Sequence, residues 1–206
     1  MTNTRLDIVD MRSEDIDAVA ALAQAAWFSR YDALQSTIAR YFVMNHFLRA
    51  TWLRVARLDG EVVGVMLAST NNADAPYHEY AAAEKGRLEQ VLNNSEVGRT
   101  FLPFFARYVR DHETLEAPAR RECDGECQMY IVAPDKQGTG IGSLLWDDMI
   151  AHFHAQGVRR YFLYTDTDCN WRIYGVKGLT IVNGKEDVKG DGSTYGQYIY
   201  VGELSR

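Results

Sequence analysis

The chain is poor in cysteine, in basic residues relative to acidic ones, and in long apolar runs, and each shortage narrows the reading. Three cysteines in 206 residues, an odd number, fit reduced thiols rather than a disulfide framework. Cys123 and Cys127 have the spacing of half a metal site. No second Cys/His pair at ligand spacing completes it, so the thiols read as buried or incidental and no metal is expected. No apolar run approaches the roughly 20 residues that span a bilayer. The N-terminus, MTNTRLDIVDMRSED, lacks a basic-then-apolar signal pattern. A cytoplasmic protein without a membrane partner is the expectation. Lys and Arg number 22 against 28 Asp and Glu, for a net charge of −6. That balance argues against nucleic acid, whose binding leaves a basic footprint, and mildly favours cationic substrates such as amines.

What is present is a globular composition, 47% hydrophobic and 12% aromatic, and a length that suits one domain with an insertion. Leu6–Asp10 alternates as a first strand. Ser13 is positioned to cap a helix whose stripe is Ile16, Val19, Ala20, Ala23 and Trp27. Tyr31–Leu48 carries a second helical stripe of Leu34, Ile38, Tyr41, Phe42 and Phe47. Trp52–Leu58 and Glu61–Ser69 flank Asp59-Gly60, the dipeptide of a type I′ hairpin. Asn71–Glu122 is too long for a simple connection and predicts two helices, about Glu79–Leu92 and Thr100–His112. The second bears Phe101, Phe104, Phe105, Tyr108 and Val109 on one stripe. Glu126–Val132 reads as the central strand, then a glycine loop and a helix to about Gln156 with Gly157 as its cap. Val158–Thr165 is the next strand, in parallel. A short helix over Asn170–Val176, strands at Leu179–Asn183 and Gly196–Leu204, and a polar, mobile Gly184–Thr194 loop complete the chain.

The most informative stretch is Tyr130–Trp146, YIVAPDKQGTGIGSLLW. A β-branched strand, a Pro-Asp turn, a glycine-rich loop and an amphipathic helix make an anion cradle in that order. Glycines let successive N–H groups converge on a phosphate, and the helix N-terminus adds partial positive charge. The G-x-G-x-G spacing puts Ser143 where a dinucleotide fingerprint needs its third glycine, and no Gly-Lys-Ser/Thr is present for a P-loop.

Gln137, Gly140 and Gly142, after Val132 and Pro134, match Q/R-x-x-G-x-G/A, which resembles the pyrophosphate motif of the GNAT superfamily of acyl-CoA-dependent N-acyltransferases. Asn170-Trp-Arg-Ile-Tyr174-x3-Gly178-Leu179 is similar to the second GNAT motif, with Leu179 where Phe is usual. The resemblance implies an α/β fold: a mixed, mostly antiparallel sheet with one splayed parallel pair, helices on both faces, and an oversized helical insertion at about 71–122. It implies an N-acetyltransferase that uses acetyl-CoA as co-substrate, with no metal, and passes the acetyl group directly to a primary amine. Gln137, Gly138, Thr139, Gly140, Ile141, Gly142 and Ser143 would hold the pyrophosphate. The pantetheine would lie along Tyr130, Ile131 and Val132, with a backbone N–H near Val132 polarising the thioester. Asn170 and Tyr174, four residues apart on a helix, would face the thioester, Tyr174 as general acid. Glu126 shares strand parity with Gln128, Tyr130 and Val132 and is the candidate base; Asp124, Glu122 and water stay open beside it.

The acceptor, a small molecule or a peptide amine, carries no readable motif. Trp27, Phe28, Tyr31 and Tyr41 would suit an apolar or cationic group. A homodimer through the final strands is open. The rival readings are a non-catalytic acyl-CoA-binding sensor or assembly subunit and, more distantly, an enzyme that cradles another phosphate.

Overall fold

The computed structural model describes residues 5–29, 34–71 and 73–205. Its frame is a seven-stranded sheet: β1 (Leu6–Asp10), β2 (Trp52–Leu58), β3 (Glu61–Thr70), β4 (Gly125–Val132), β5 (Arg160–Asp166), β6 (Thr180–Val188) and β7 (Thr194–Glu203), in the spatial order β1-β2-β3-β4-β5-β7-β6. Every neighbouring pair is antiparallel except β4–β5. The β2–β3 hairpin turns through Asp59 and Gly60 at φ 53° and 92°, the positive pair a type I′ turn requires.

Helices cover both faces. On one lie α1 (Ile16–Ala23), α2 (Gln35–Phe47), α3 (His78–Asn93) and α4 (Glu96–Glu122). They enclose a core that takes Val55, Val65, Leu67, Met129 and Ile131 from the sheet. On the other lies α5 (Ile141–Ala155), packed against Met66, Ala68, Cys127 and Tyr130. The short α6 (Arg172–Val176) supplies Tyr174 to that second core. Among the described residues no helix is long and apolar enough to cross a membrane.

Several sequence expectations need correction. α4 runs 27 residues, through Pro103 and Pro118, rather than ending near His112. Its C-terminal half is anchored by buried Ala119 and, just past its end, Cys123, which pack with Phe162 and Ile199. The Gly184–Thr194 loop is mostly strand: β6 pairs with β7 as far as Val188↔Thr194, which leaves a tip of only 189–193. Ser13 does not cap α1; it begins a 3-10 turn in which the Asp15 carboxylate accepts from the Arg12 N–H at 2.9 Å. Trp27 lies on a π-helical extension of α1, Gln24–Phe28. Tyr31 lies outside the described residues.

Candidate active site

β4 and β5 pair over three residues only, Gly125↔Tyr161, Glu126↔Phe162 and Cys127↔Leu163. Past that point the strands part, so the backbone of β4 from 128 to 132 has no ladder on its β5 side, while β3 still pairs with its other edge. A fork of this kind offers unpaired N–H and C=O groups to an extended amide chain, which can dock as an added strand.

The cradle stands at the open end of the fork. Gly138 and Gly140 adopt φ 78° and 91°, and a Cβ on either would meet nothing within 4 Å, so their faces are open to solvent. Gly140 is the left-handed residue that precedes α5, whose first-turn N–H groups have no carbonyl four residues back and point out as donors. Gln137 donates from Nε2 to the Val132 carbonyl at 3.3 Å, and Thr139 donates to the Lys136 carbonyl at 2.6 Å, tying the loop to the end of β4. Gly142 differs: a Cβ there would run into the Tyr130 hydroxyl. Ile141 is buried as the helix anchor, whereas Ser143 is exposed.

Tyr174 lies on the α5 side of the fork, its ring 5.8 Å from Trp146 and 5.7 Å from Tyr200. Burial, with Cys127, Cys169 and Tyr130 around it, holds its hydroxyl well above the usual phenol range, so it is a proton donor and not a phenolate. Cys127, the last paired residue of β4, is likewise pushed up to about 12 by burial and stays a thiol. Asn170 does not share a helical face with Tyr174. It is exposed in the turn before α6, where Ile173 bonds back to Asn170 and Tyr174 to Trp171, three residues apart. In such 3-10 winding residues three apart eclipse, and residues four apart diverge.

A bulge at the fork changes the reading of strand parity. Leu67 pairs with Met129 but Ala68 with Cys127, which leaves Gln128 as the extra residue. Tyr130 and Val132 therefore pack towards α5, while Glu126 alternates with Cys127 and faces α4. There the Glu126 carboxylate is buried, 2.8 Å from Arg120 and 3.5 Å from Arg49. Arg120 also bonds Glu116 at 2.7 Å. Burial and the like charge of Glu126 raise Glu116 above the ordinary carboxylate range, against the pull of Arg120 and Arg49. Asp124 accepts from the Arg159 N–H at 3.1 Å, and Glu122 pairs with Arg160 at 3.1 Å. Both stand at the strand entrance, on the far side of the paired segment from the cradle. Arg49 also lines a cleft of about 550 Å³ with Leu48, Thr51 and His78.

Two residues that the sequence reading passed over, His46 of α2 and His112 of α4, meet at the same level. The His112 ring lies 3.5 Å from Tyr164, centroid to centroid, and 3.7 Å from Tyr108. Tyr164 is the first β5 residue past the paired segment, as Gln128 is on β4. His112 Nε2, His46 Nδ1 and both amide atoms of Gln128 are shut from solvent without a hydrogen-bond partner. Burial holds both imidazoles neutral, each at about 3; Arg49 contributes for His46, and His46, Lys185 and Arg49 for His112. No sequence signal marked them, because a lone histidine on a helical stripe is indistinguishable from a core one. Of the aromatics expected at the acceptor wall, Trp27 and Phe28 pack on Phe42 at 5.3 Å. Tyr41 instead donates to Glu89 at 2.6 Å and meets Phe101 and Phe105 edge to face. Among the described residues no group of three or more His, Cys, Asp and Glu is arranged to hold a metal ion.

Residues 105–174, from α4 through the cradle to Tyr174, match the acetyltransferase (GNAT) family. Solved structures agree in fold across nearly the whole chain. Ard1 from Thermoplasma volcanium superposes with a TM-score of 0.59 at 15% identity, over 98% of this chain and 99% of that one. The ribosomal-protein-S18-alanine N-acetyltransferase of Escherichia coli gives 0.58 at 14%, over 98% and 96%. The Drosophila melanogaster polyamine N-acetyltransferase gives 0.57 at 11%, over 97% and 100%. At these identities the likeness is one of fold. No curated protein matches the sequence.

Proposed function

Starting from a chain that belongs to the GNAT acetyltransferase superfamily, we propose that it is an N-acetyltransferase that moves an acetyl group from acetyl-CoA directly to a primary amine. The observation that carries this reading is the coincidence of an open glycine cradle at Gly138–Gly142 with a strand fork that begins after Cys127. A ligand that needs both must be an anion joined to an extended chain, which is the shape of a CoA thioester. The first-turn donors of α5 and the N–H groups of Gly138 to Ser143 would receive the pyrophosphate. The pantetheine would continue along Tyr130, Ile131 and Val132, with exposed Asn170, in the turn before α6, as a further group to bond it.

The chemistry then asks for three things. A backbone N–H on the free edge of β4 would polarise the thioester carbonyl. The Tyr174 hydroxyl, kept protonated by burial, would give its proton to the departing thiolate. The amine must lose a proton. Glu126 is the carboxylate of β4 nearest the fork, but its lone pairs face Arg120 and Arg49, so its proposed part is to fix the acceptor side electrostatically. We place the reaction in the cytoplasm on the odd cysteine count, and the open edge of β6 is where a homodimer would form.

Isothermal titration with acetyl-CoA, CoA and ATP tests the reading. Micromolar binding of acetyl-CoA that Gly140→Val abolishes is the expected result. Binding of ATP in preference to any CoA species, or no heat at all, would overturn it.

A further inference from the structure

The buried polar atoms at the fork that find no partner are concentrated on its α2–α4 side. His46 Nδ1, His112 Nε2 and the Gln128 amide are four such atoms. Unpaired buried polar groups cost about 1–3 kcal/mol each, so a folded chain keeps several together where something else will pair with them. The walls around them are aromatic: Tyr108, Tyr164 and Phe42, on whose ring Trp27 packs. His46, His112, Gln128 and Tyr164 each retain some exposed surface, although the four unpartnered atoms themselves are shut from solvent.

We propose that this is the seat of the acceptor amine, and that His112 takes the proton the amine loses, with His46 and Gln128 holding the amino group in place. The inference rests on the acyl-transfer reading above. As the nitrogen attacks, the N–C bond forms, the C–S bond breaks and the Tyr174 proton goes to sulfur. The amine N–H proton passes to His112 Nε2, in the tautomer that carries its hydrogen on Nδ1. Both protons are then reset by exchange with water. His112 suits the part because its neutral ring has a free lone pair, whereas Glu126 is committed to two guanidiniums. The seat also selects. The groups around His112 are His46, Arg49 and Lys185 from α2, its following turn and β6, Tyr164 from β5, and Tyr108 from α4. Two fixed cations and aromatic walls favour a monoamine with a flat apolar body over a polyamine.

The test uses the full chain with acetyl-CoA bound and two probes, 2-phenylethylamine and spermidine. In the unmodified protein, the ring nitrogens of His46 and His112 should shift on titration with phenylethylamine, followed by long-range 1H–15N correlation. His112→Gln should lower kcat by about 10²-fold and leave acetyl-CoA affinity within about twofold. Imidazoles unmoved by either amine would overturn the proposal. So would a His112→Gln enzyme with an unchanged rate, or a preference for spermidine. Absence of acetyl-CoA binding in the unmodified protein would instead remove the acyl-transfer reading itself.

Discussion

Gly142 lies directly over the Tyr130 hydroxyl, so that the third glycine of the loop is fixed by a side chain of β4. The glycine positions of the loop therefore answer different demands. Gly142→Ala should cost about 1–3 kcal/mol of stability by overpacking, and Tyr130→Phe in the same chain should return most of it. Gly138→Ala, with open space at its Cβ but φ at 78°, should cost about 1 kcal/mol that Tyr130→Phe does not change. Urea unfolding of the four variants checks this.

Tyr174→Phe removes a hydroxyl from a ring packed between Trp146 and Tyr200 without changing the packing. We expect turnover to fall by about 10²-fold with acetyl-CoA affinity unchanged. Stopped-flow thiol release beside calorimetry separates the two, and equal loss of both would count against an acid role.

The imidazoles of His46 and His112 also set an acid limit on stability. Each titrates near 3 in the fold and near 6.5 when unfolded. Between those values the unfolded chain binds more protons, so stability is full above 6.5 and falls as pH drops towards 3. The slope is up to about 1.4 kcal/mol per pH unit per imidazole, less where a ring edge meets water. His46→Gln and His112→Gln should each flatten thermal melts recorded from pH 7 to 4; melts as steep as those of the parent would contradict the burial.

Arg120 joins Glu116 and Glu126, so its loss strands two buried carboxylates. Because its own side chain is partly open to solvent, Arg120→Met should cost about 2 kcal/mol at pH 7 rather than the 3–5 of a sealed pair. Without the guanidinium Glu116, already raised by burial, titrates higher still in the fold than unfolded, so the deficit should shrink on going to pH 5. A deficit that grows instead would rule out this arrangement.

Local chemistry made much of this legible. Asp59-Gly60 announced its hairpin and Gly157 its helix end, at φ 69°, because each rests on one backbone conformation. The cradle was legible because glycine spacing is a property of adjacent residues. The bulge at Gln128 was not, since it exists only as a mismatch between β4 and β3, and it reversed the face assigned to Glu126. The length of α4 was hidden because its aromatic stripe stops at Val109, and the turns beyond it are held by contacts that only the fold brings, such as Ala119 on Phe162 and Ile199. The second half of β6, from Gly184, looked like a loop because most of its side chains are exposed and polar; its order comes from pairing with β7.

The long α4 has a consequence for how such a chain changes over time. It brings Phe101 and Phe105 to the helical core and His112, Glu116 and Arg120 to the fork on one continuous rod. Nearly everything that would grip the donor comes after it in sequence. A swap of the stretch between β3 and β4 would thus replace His112 and the α4 wall in a single step while leaving the glycine cradle, His46, Gln128 and Tyr164 in place.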